Sequence, residues 1–600
     1  MASWYFSAEE PMWVYPPINA TWRDAIVKEF QIHPVTAQIL LTRRFRDFEE
    51  IHHYLYAQLP DLHDPSLLSS MREAVDRICS AIARQEKILV YGDNDVDGMT
   101  GIALLTEFLQ LIGGQVISFV ASPGSSRQNL LIESLDEAHR HQCRLVITVD
   151  CGVTAAREVA QLVESGLDVI ITDHHEVIDP LPRCTAVLNP KLEGELYPNR
   201  DLTGVGVAFK LAHAITNRLA DEQSPVAQRV DLKHFLDLVA MGTISDMGAL
   251  RGENRILVRY GLRQLQQTGR VGLTKLLKLS NVDPQLEEMT TFTVASKVSP
   301  RLNSLGRISD PRKGVELLLV QDPERAEQLA QELDLHNLER QRIERTMSQE
   351  VEQRFVADPL LLQRKAIVIA GHEWHPGIIA ILATRISKYY NRPTVIMAIE
   401  NGVAKGSIRS IQEFPLLKVL KECAPFLLNF GGHDYAAGLT IKEENIPAFT
   451  AKFLEAADAS LTPSDVMNKL VLDAEVSLQD LTFELMESMS LLTPYGNENP
   501  QPLLYCCAHQ AWPPKQVSRH HLRMYLEDPK HPSVILEGIA YGRAAAMGSL
   551  RRKELALQVA FTPQMSQRQG HSLHLIVRDF KESPNTPSSE TTMTRASLKE

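Results

Sequence analysis

The sequence predicts an α/β protein built in segments: a parallel-sheet domain, a long connecting helix, a second α/β domain and a small C-terminal β-barrel. Three observations predict it. First, short β-branched runs (KILVYGD, QVISFVAS, RLVITVD, LDVIITD, TAVLNP) follow one another from residue 87, separated by helical stretches such as GMTGIALLTEFLQLIGG and TAAREVAQLVESG. Strand–helix–strand alternation makes parallel sheets, whose strands are buried on both faces and therefore read as continuous apolar runs. Second, DPERAEQLAQELDLHNLERQRIERTMSQEVEQRF, starting at Asp322, is densely charged and holds no Gly or Pro beyond Pro323 in its first turn. That is one long helix. Third, PLLYCCAHQAW, HLRMYLED, SVILEGIAYG, LALQVAFTP and SLHLIVRDF read as strands separated by turns, the pattern of a small barrel.

In chain order, residues 1–80 are expected to form a polar helical extension carrying the cluster RRFRDF. The parallel-sheet domain takes 81–320, with a helical stretch from 204 to 290, and the connecting helix 321–358. A second α/β domain at 359–460 opens with the strands KAIVIAG and PTVIMAI. The barrel takes 461–580. The Ser/Thr/Pro-rich tail 581–600 is expected to be disordered.

Composition narrows the function. A chain of 600 residues exceeds one core, and 44% hydrophobic with 23% charged residues is the balance of a soluble globular protein. No apolar run approaches the ~20 residues of a membrane helix, and the N-terminus lacks the basic and apolar regions of a signal peptide. The expected location is the cytoplasm, with no membrane partner. Seven cysteines, an odd and thin count, fit a reducing compartment. A net charge of −12 excludes a nonspecific coat for nucleic acid. A nucleic-acid site must be a local basic groove or must recruit metal.

The chemistry concentrates at strand ends. Asp93, Asp95 and Asp97 alternate directly after ILVY, RLVITVD ends at Asp150, and LDVIITD ends at Asp173 followed by His174 and His175. The C-terminal ends of parallel strands share one edge, where ligands bind, so these seven residues should converge. Asp246, after DLVAMGTIS, follows a fourth apolar run and either caps a helix or joins them. An EF-hand calcium loop is disfavoured: its twelfth position, counted from Asp93, is Leu104, and a strand precedes it. Clustered carboxylates repel and resist desolvation unless cations sit among them. Carboxylates with imidazole suit Mn²⁺, Mg²⁺ or Zn²⁺. Two ions about 3.5–4 Å apart would balance the charge and clamp the attacking and leaving oxygens of a phosphoryl displacement.

These residues carry a resemblance. GDNDVDG, VDCG, DHH and the Asp of GTISD resemble the four motifs of the DHH phosphoesterase superfamily. SPRLNSLGR, WHPGIIAILATR, AKGSIRS, FGGHDYAAGLT and LTPYGNENPQP are similar to downstream motifs of its RecJ family of 5′→3′ single-strand DNA exonucleases. The likeness runs in order from about residue 40 to 580. It implies that the barrel is an OB-fold, that two divalent ions, Mn²⁺ or Mg²⁺, are the cofactors, and that Asp95, Asp97, Asp150, His174 and Asp246 are their ligands. Asp93, Asp173 and His175 are expected in catalytic roles, His175 against substrate phosphate. Arg301, Asn303, Arg307, His375, Ser407, Arg409, Gly431, Gly432 and His433 are expected against the substrate strand; arginine offers phosphate a planar fork. Trp374 is read as either a stacking or a core residue. Asn94, Cys151, Ala380 and Glu498 depart from the family pattern without removing a ligand. On the barrel, Tyr505, Trp512 and Tyr525 are candidate platforms for base stacking, with Tyr541, Arg519, His520 and His521 nearby.

The expected function is metal-assisted hydrolysis of single-stranded DNA from the 5′ end to mononucleotides, in DNA repair and recombination. The resemblance alone implies work with single-strand-binding protein and a RecQ-type helicase. Rival readings are a small-molecule or oligonucleotide phosphoesterase, which the barrel argues against, and an inactive DNA-binding scaffold, which the filled ligand positions argue against.

Overall fold

The structure, a computed structural model, describes residues 11–122, 130–177, 180–518, 520–548, 550, 556–566 and 572–583. Arg519 and the tail from 584 lie outside the described residues. The chain forms two compact units: Tyr56–Asn468 with Thr493–Pro500, and Pro11–Leu55 with Lys469–Leu492 and the residues from Gln501 onward. The expected N-terminal extension therefore divides between them. Strand Met12–Val14 pairs in parallel with Lys469–Val471, and the Trp13 indole donates to Asp579 at 2.7 Å. Helix Met71–Ala83 instead buries Met71, Ala74, Val75, Ile78 and Ala81 in the core beside the parallel sheet.

In the first unit, β1 (Lys87–Gly92) leads through helix α1 (Val96–Leu111) to β2 (Gln115–Val120), β3 (Leu145–Val149), β4 (Asp168–Thr172) and β5 (Ala186–Leu188). Their order is β2-β1-β3-β4-β5, all parallel. Alternation along β1 shows both faces covered: Ile88 and Val90 join one core, Leu89 and Tyr91 the other. The winding reverses between β1 and β3, which opens a crevice at their C-terminal ends. Helices α2 (Gly204–Asp221), α3 (Leu236–Ser245) and α4 (Ser299–Ile308) follow. Then comes α5 (Pro323–Ala357), 35 residues long and N-capped by the Asp322 side chain accepting from Arg325 N–H.

The second sheet comprises β6 (Ile367–His372), β7 (Thr394–Glu400), β8 (Val403–Arg409), β9 (Leu427–His433) and β10 (Ala436–Lys442), in the order β9-β10-β8-β7-β6. Only β6 and β7 pair in parallel; the remaining pairs are antiparallel. Asn401 (φ 51°) and Gly402 (φ 76°), both left-handed, turn β7 into β8 as a tight two-residue hairpin.

In the second unit, β11 (Leu504–Gln510), β12 (Leu522–Glu527), β13 (Ile535–Ala540), β14 (Ala556–Ser566) and β15 (Ser572–Glu582) close a barrel because β11 pairs with both β12 and β14. The circuit continues through β12–β13, the parallel pair β13–β15, and β15–β14, the connectivity of an OB-fold. Among the described residues, no helix is long and apolar enough to cross a membrane.

Candidate metal centre

The crevice at the winding reversal collects the acids. Asp95 caps α1: its carboxylate accepts from Asp97 N–H at 2.9 Å and Gly98 N–H at 3.1 Å, as an N-cap aspartate should. Asp97, in the first turn of α1, is fully buried, and its two oxygens accept from the backbone N–H groups of Gly204 (2.6 Å) and Val205 (3.0 Å) at the start of α2. Asp150 follows β3 with φ 60°, a left-handed backbone that turns its carboxylate inward beneath α2. A Cβ on Gly204 would stand 2.6 Å from Asp150 Cβ, so only glycine lets the helix approach this closely.

Three overlapping trios bring potential ligand atoms within 4.8 Å of one another: Asp93, Asp95 and Asp150; Asp97, His174 and Asp246; Asp150, His174 and His175. His174 Nε2 lies 3.0 Å from Asp150 Oδ1, 3.7 Å from Asp246 Oδ2 and 3.9 Å from Asp97 Oδ2. Of the seven residues expected to converge, Asp93, Asp95, Asp97, Asp150, His174 and His175 do so; Asp246, left open between cap and ligand, joins them, and Asp173 is in none of the trios. Burial, then repulsion from Asp246 and Asp95, pushes the Asp97 carboxyl well above the usual carboxylate range. Asp150 is pushed the same way by burial and by the neighbouring aspartates. Among the described residues, none donates a hydrogen bond to buried Asp150 Oδ1. Hard oxygen donors with imidazole, mutually repelling and partly unsatisfied, fit divalent Mn²⁺ or Mg²⁺.

Asp173 has a different setting. Its oxygens accept from the backbone N–H groups of Val153 (2.9 Å), His174 (2.7 Å) and His175 (3.1 Å), and one lies 2.8 Å from His175 Nδ1. Burial acts to raise its pKa, but hydrogen bonding and charge from His175 outweigh it and hold the carboxyl below its ordinary value. The structure sets Asp173 to orient His175, one step behind the cluster.

The predicted substrate contacts separate into two groups. Arg301 is tied up: its guanidinium bonds Asp334 Oδ1 at 2.8 Å and the carbonyls of Lys297 and Leu279. Trp374 is 5% exposed, donates to Glu350 at 2.6 Å and belongs to the core. Arg307 and Arg409, by contrast, are half-buried with no carboxylate partner among the described residues. Arg307 donates to Gly377 O at 3.0 Å, and Arg409 to Ser407 Oγ (3.2 Å) and Ile408 O (2.9 Å). Desolvation lowers both pKa values; Arg340 adds to the effect at Arg307, and the Asp95 charge acts on it in the opposite sense. Arg307 comes near Asp95 because Gly306 packs on the preceding loop, where a Cβ would stand 2.3 Å from Asn94 O. Asn303 sits one turn before Arg307 on α4, on the same face. His375 accepts from Gly377 N–H at 3.1 Å, beside Arg307.

Sheet register aligns the remaining residues. Arg409, Ala436 and His433 lie side by side across β8, β10 and β9, as do Ser407, Gly438 and Gly431. A Cβ on Gly431 would meet nothing within 4 Å, so the small residues leave a trough along this face; Gly432 (φ 147°) instead lets β9 close on Ala436 and Ala437. Sequence reasoning missed the Gly204 and Val205 donors, whose signal was the TGVG just before the α2 pattern, and missed Arg340.

On the barrel, Trp512 is 53% exposed and stands edge-on to Tyr525 at 5.2 Å, with Lys515 Nζ 5.9 Å from the Tyr525 ring centre. Tyr505 does not share this patch. Tyr15 lies against it at 5.3 Å, and its hydroxyl bonds Glu475 at 3.2 Å.

The fold and the site define a metal-dependent phosphoesterase: residues 87–243 match the DHH family N-terminal domain, and 363–459 the DHHA1 domain. Residues 472–579 match the RecJ OB domain. The chain is 31% identical over 546 residues to the single-stranded-DNA-specific exonuclease RecJ of Escherichia coli, covering 88% of this chain and 93% of that protein. The RecJ of Bacillus subtilis is 38% identical over 480 residues, 80% of this chain but 59% of the length of that relative. Thermus thermophilus RecJ, solved with Mn²⁺, superposes with a TM-score of 0.80 at 28% identity, covering 96% of this chain and 80% of that one; its Mg²⁺ complex gives 0.74. The chain belongs to the RecJ family.

Proposed function

We propose that this protein degrades single-stranded DNA from the 5′ end to 5′-mononucleotides, hydrolysing each phosphodiester at the aspartate–histidine cluster with Mn²⁺ or Mg²⁺ held there. One observation carries the reading: repelling buried carboxylates lie near desolvated Arg307, which in turn lies near desolvated Arg409, and neither arginine has a carboxylate partner among the described residues. Such an arrangement is stable around cations on one side and a phosphate on the other.

Asp95, Asp97, Asp150, His174 and Asp246 would hold the ions, with Asp93 beside them. Bound ions supply a Lewis-acidic surface that lowers the pKa of water and offsets charge on phosphate. The chain does the positioning. Backbone N–H groups of α2 fix Asp97, and charged Asp173 fixes the His175 ring, which hydrogen-bonds a nonbridging phosphate oxygen. Arg307 and Arg409 fork onto the phosphate, and the trough of Ser407, Gly431 and His433 receives the strand end. Trp512 and Tyr525 stack bases farther along. The activity belongs to the cytoplasm. Single-strand-binding protein and a RecQ-type helicase are the partners the resemblance implies.

Asp150→Ala tests the reading on single strands labelled at either end, with Mn²⁺ titrated. Wild type should release the 5′ label as mononucleotide, and the variant none at any Mn²⁺ concentration. Release from the 3′ end alone, or equal activity in the variant, overturns it.

A further inference from the structure

The stretch TPYGNENP, Thr493–Pro500, is not used by the chemistry above, yet it packs within the first unit against the segment that follows Asp246. Asp246 is the C-cap of α3, its N–H donating to Gly242 O at 2.9 Å. Met247 then turns left-handed (φ 59°), and Gly248 N–H returns to Thr243 O at 2.9 Å. Asn497 grips this exit at two points. Its side-chain amide donates to Met247 O at 2.7 Å, and its own carbonyl accepts from Leu250 N–H at 3.0 Å. Leu250 is 2% exposed, and a Cβ on Gly496 would stand 2.6 Å from its Cδ1.

The turn is itself rigid. Gly496 N–H bonds Asn499 O at 2.8 Å, and buried Asn499 donates to Pro494 O at 2.7 Å. Arg259 reaches Thr493 O at 3.2 Å, and Glu498 pairs with Arg251 at 3.1 Å.

Asp246 has particular need of such support. Its side chain is 30% exposed, against 0% for Asp97 and 3% for Asp150. Hydrogen bonds from Gly204 and Val205 hold Asp97 and burial holds Asp150, whereas Asp246 stands at the helix end and takes part of its direction from the backbone that follows it. We infer that Asn497 is a positioning residue for the metal centre: by clasping Met247 and Leu250 it fixes the α3 exit so that Asp246 faces His174 and Asp97. The inference rests on the proposed reading of Asp246 as a metal ligand. Residues that orient ligands without touching the ion change metal affinity by about 10–100-fold when removed.

The test is direct Mn²⁺ binding to the full chain, read from the electron paramagnetic resonance signal of free Mn²⁺, for wild type, Asn497→Ala, Glu498→Gly and Asp246→Ala. Asn497→Ala should weaken Mn²⁺ binding about tenfold, the lower end of that range. Its metal-free melting temperature should fall only slightly, and its activity should return at saturating Mn²⁺. Glu498→Gly keeps both Asn497 bonds and should bind Mn²⁺ as wild type does. Unchanged affinity in Asn497→Ala, or an equal loss in Glu498→Gly, overturns the inference. Equal binding by wild type and Asp246→Ala would instead show that the reading of Asp246 has failed.

Discussion

The two sheets of the first unit place their candidate functional groups in opposite ways. On the parallel sheet, the candidates stand beyond the strand ends: Asp93–Asp97 after β1, Asp150 after β3, His174 and His175 after β4. On the mixed sheet they lie along the strands: Ser407 and Arg409 within β8, Gly431 and His433 within β9, held side by side across β10. The first arrangement concentrates negative charge that calls for cations. The second offers a cation and small residues on a pleated face. Electrostatic complementarity between the two surfaces, more than either alone, points to a phosphodiester as ligand.

The comparison breaks most sharply at arginine. Arg409→Ala should lower kcat/KM on single strands by about 10²–10³, the loss typical of removing one preorganised donor from a developing charge, while Mn²⁺ affinity stays unchanged. Arg409→Lys keeps the charge but not the fork and should restore only part of the rate. Arg301→Ala is the contrast, because that guanidinium already serves Asp334 and two carbonyls. It should lower the melting temperature and leave kcat/KM of the folded enzyme near wild type. Equal rate losses at the two positions would erase the distinction between them. Steady-state kinetics beside thermal melts decides.

A smaller effect separates the aspartate edge from the rest of the fold. Asp97 and Asp150 have carboxyls raised above the 3.8 of an ordinary aspartate. A raised folded-state pKa means that the folded protein binds protons more tightly than the unfolded chain there. The associated stability is complete below 3.8 and is lost as pH climbs through the raised values. Metal-free protein should therefore lose this contribution as pH rises through those values, and added Mn²⁺ should raise the melting temperature more at pH 8 than at lower pH. Asp97→Asn removes one of the two titrating carboxyls and should flatten the metal-free profile. Thermal melts across pH with chelator and with Mn²⁺ check this. An Mn²⁺ shift independent of pH would mean that the carboxyls are not charged against one another.

The aspartate edge was legible because the strands are written as apolar runs and three of them, β1, β3 and β4, lead directly into an aspartate. The length and N-terminus of α5 were legible for a similar reason, Asp322 and Pro323 marking its start. The division of the first 80 residues was not legible. Whether Trp13 meets Asp579 depends on pairing across more than 500 residues, and no local pattern encodes that. That Arg301 is engaged by Asp334 on α5, while Arg409 has no carboxylate partner among the described residues, was not legible either, because each arginine's partners are set by tertiary packing and not by its own motif. The left-handed φ of Glu498 (59°) is one that glycine, the residue of the family pattern, adopts freely, so glutamate holds this position at some cost in strain.

The same limit applies on the barrel, where Tyr505, Trp512 and Tyr525 look interchangeable in the sequence. Trp512 lies in the connection between β11 and β12, and Tyr525 on the outward side of β12, the part of an OB-fold that takes oligonucleotides. Tyr505 faces outward from β11, but Tyr15 and Glu475 occupy its ring edge and hydroxyl, and a carboxylate there repels a phosphate chain. In the Asp150→Ala background, which prevents degradation, Trp512→Ala should weaken single-strand binding by about 1–3 kcal/mol, the worth of one stacked base. Tyr505→Phe should leave it unchanged, because the hydroxyl it loses bonds Glu475. Fluorescence anisotropy on a labelled oligonucleotide reads both. A loss at Tyr505 with none at Trp512 would move the nucleic-acid path onto the β11 face, and the stacking role of Trp512 and Tyr525 would fall with it.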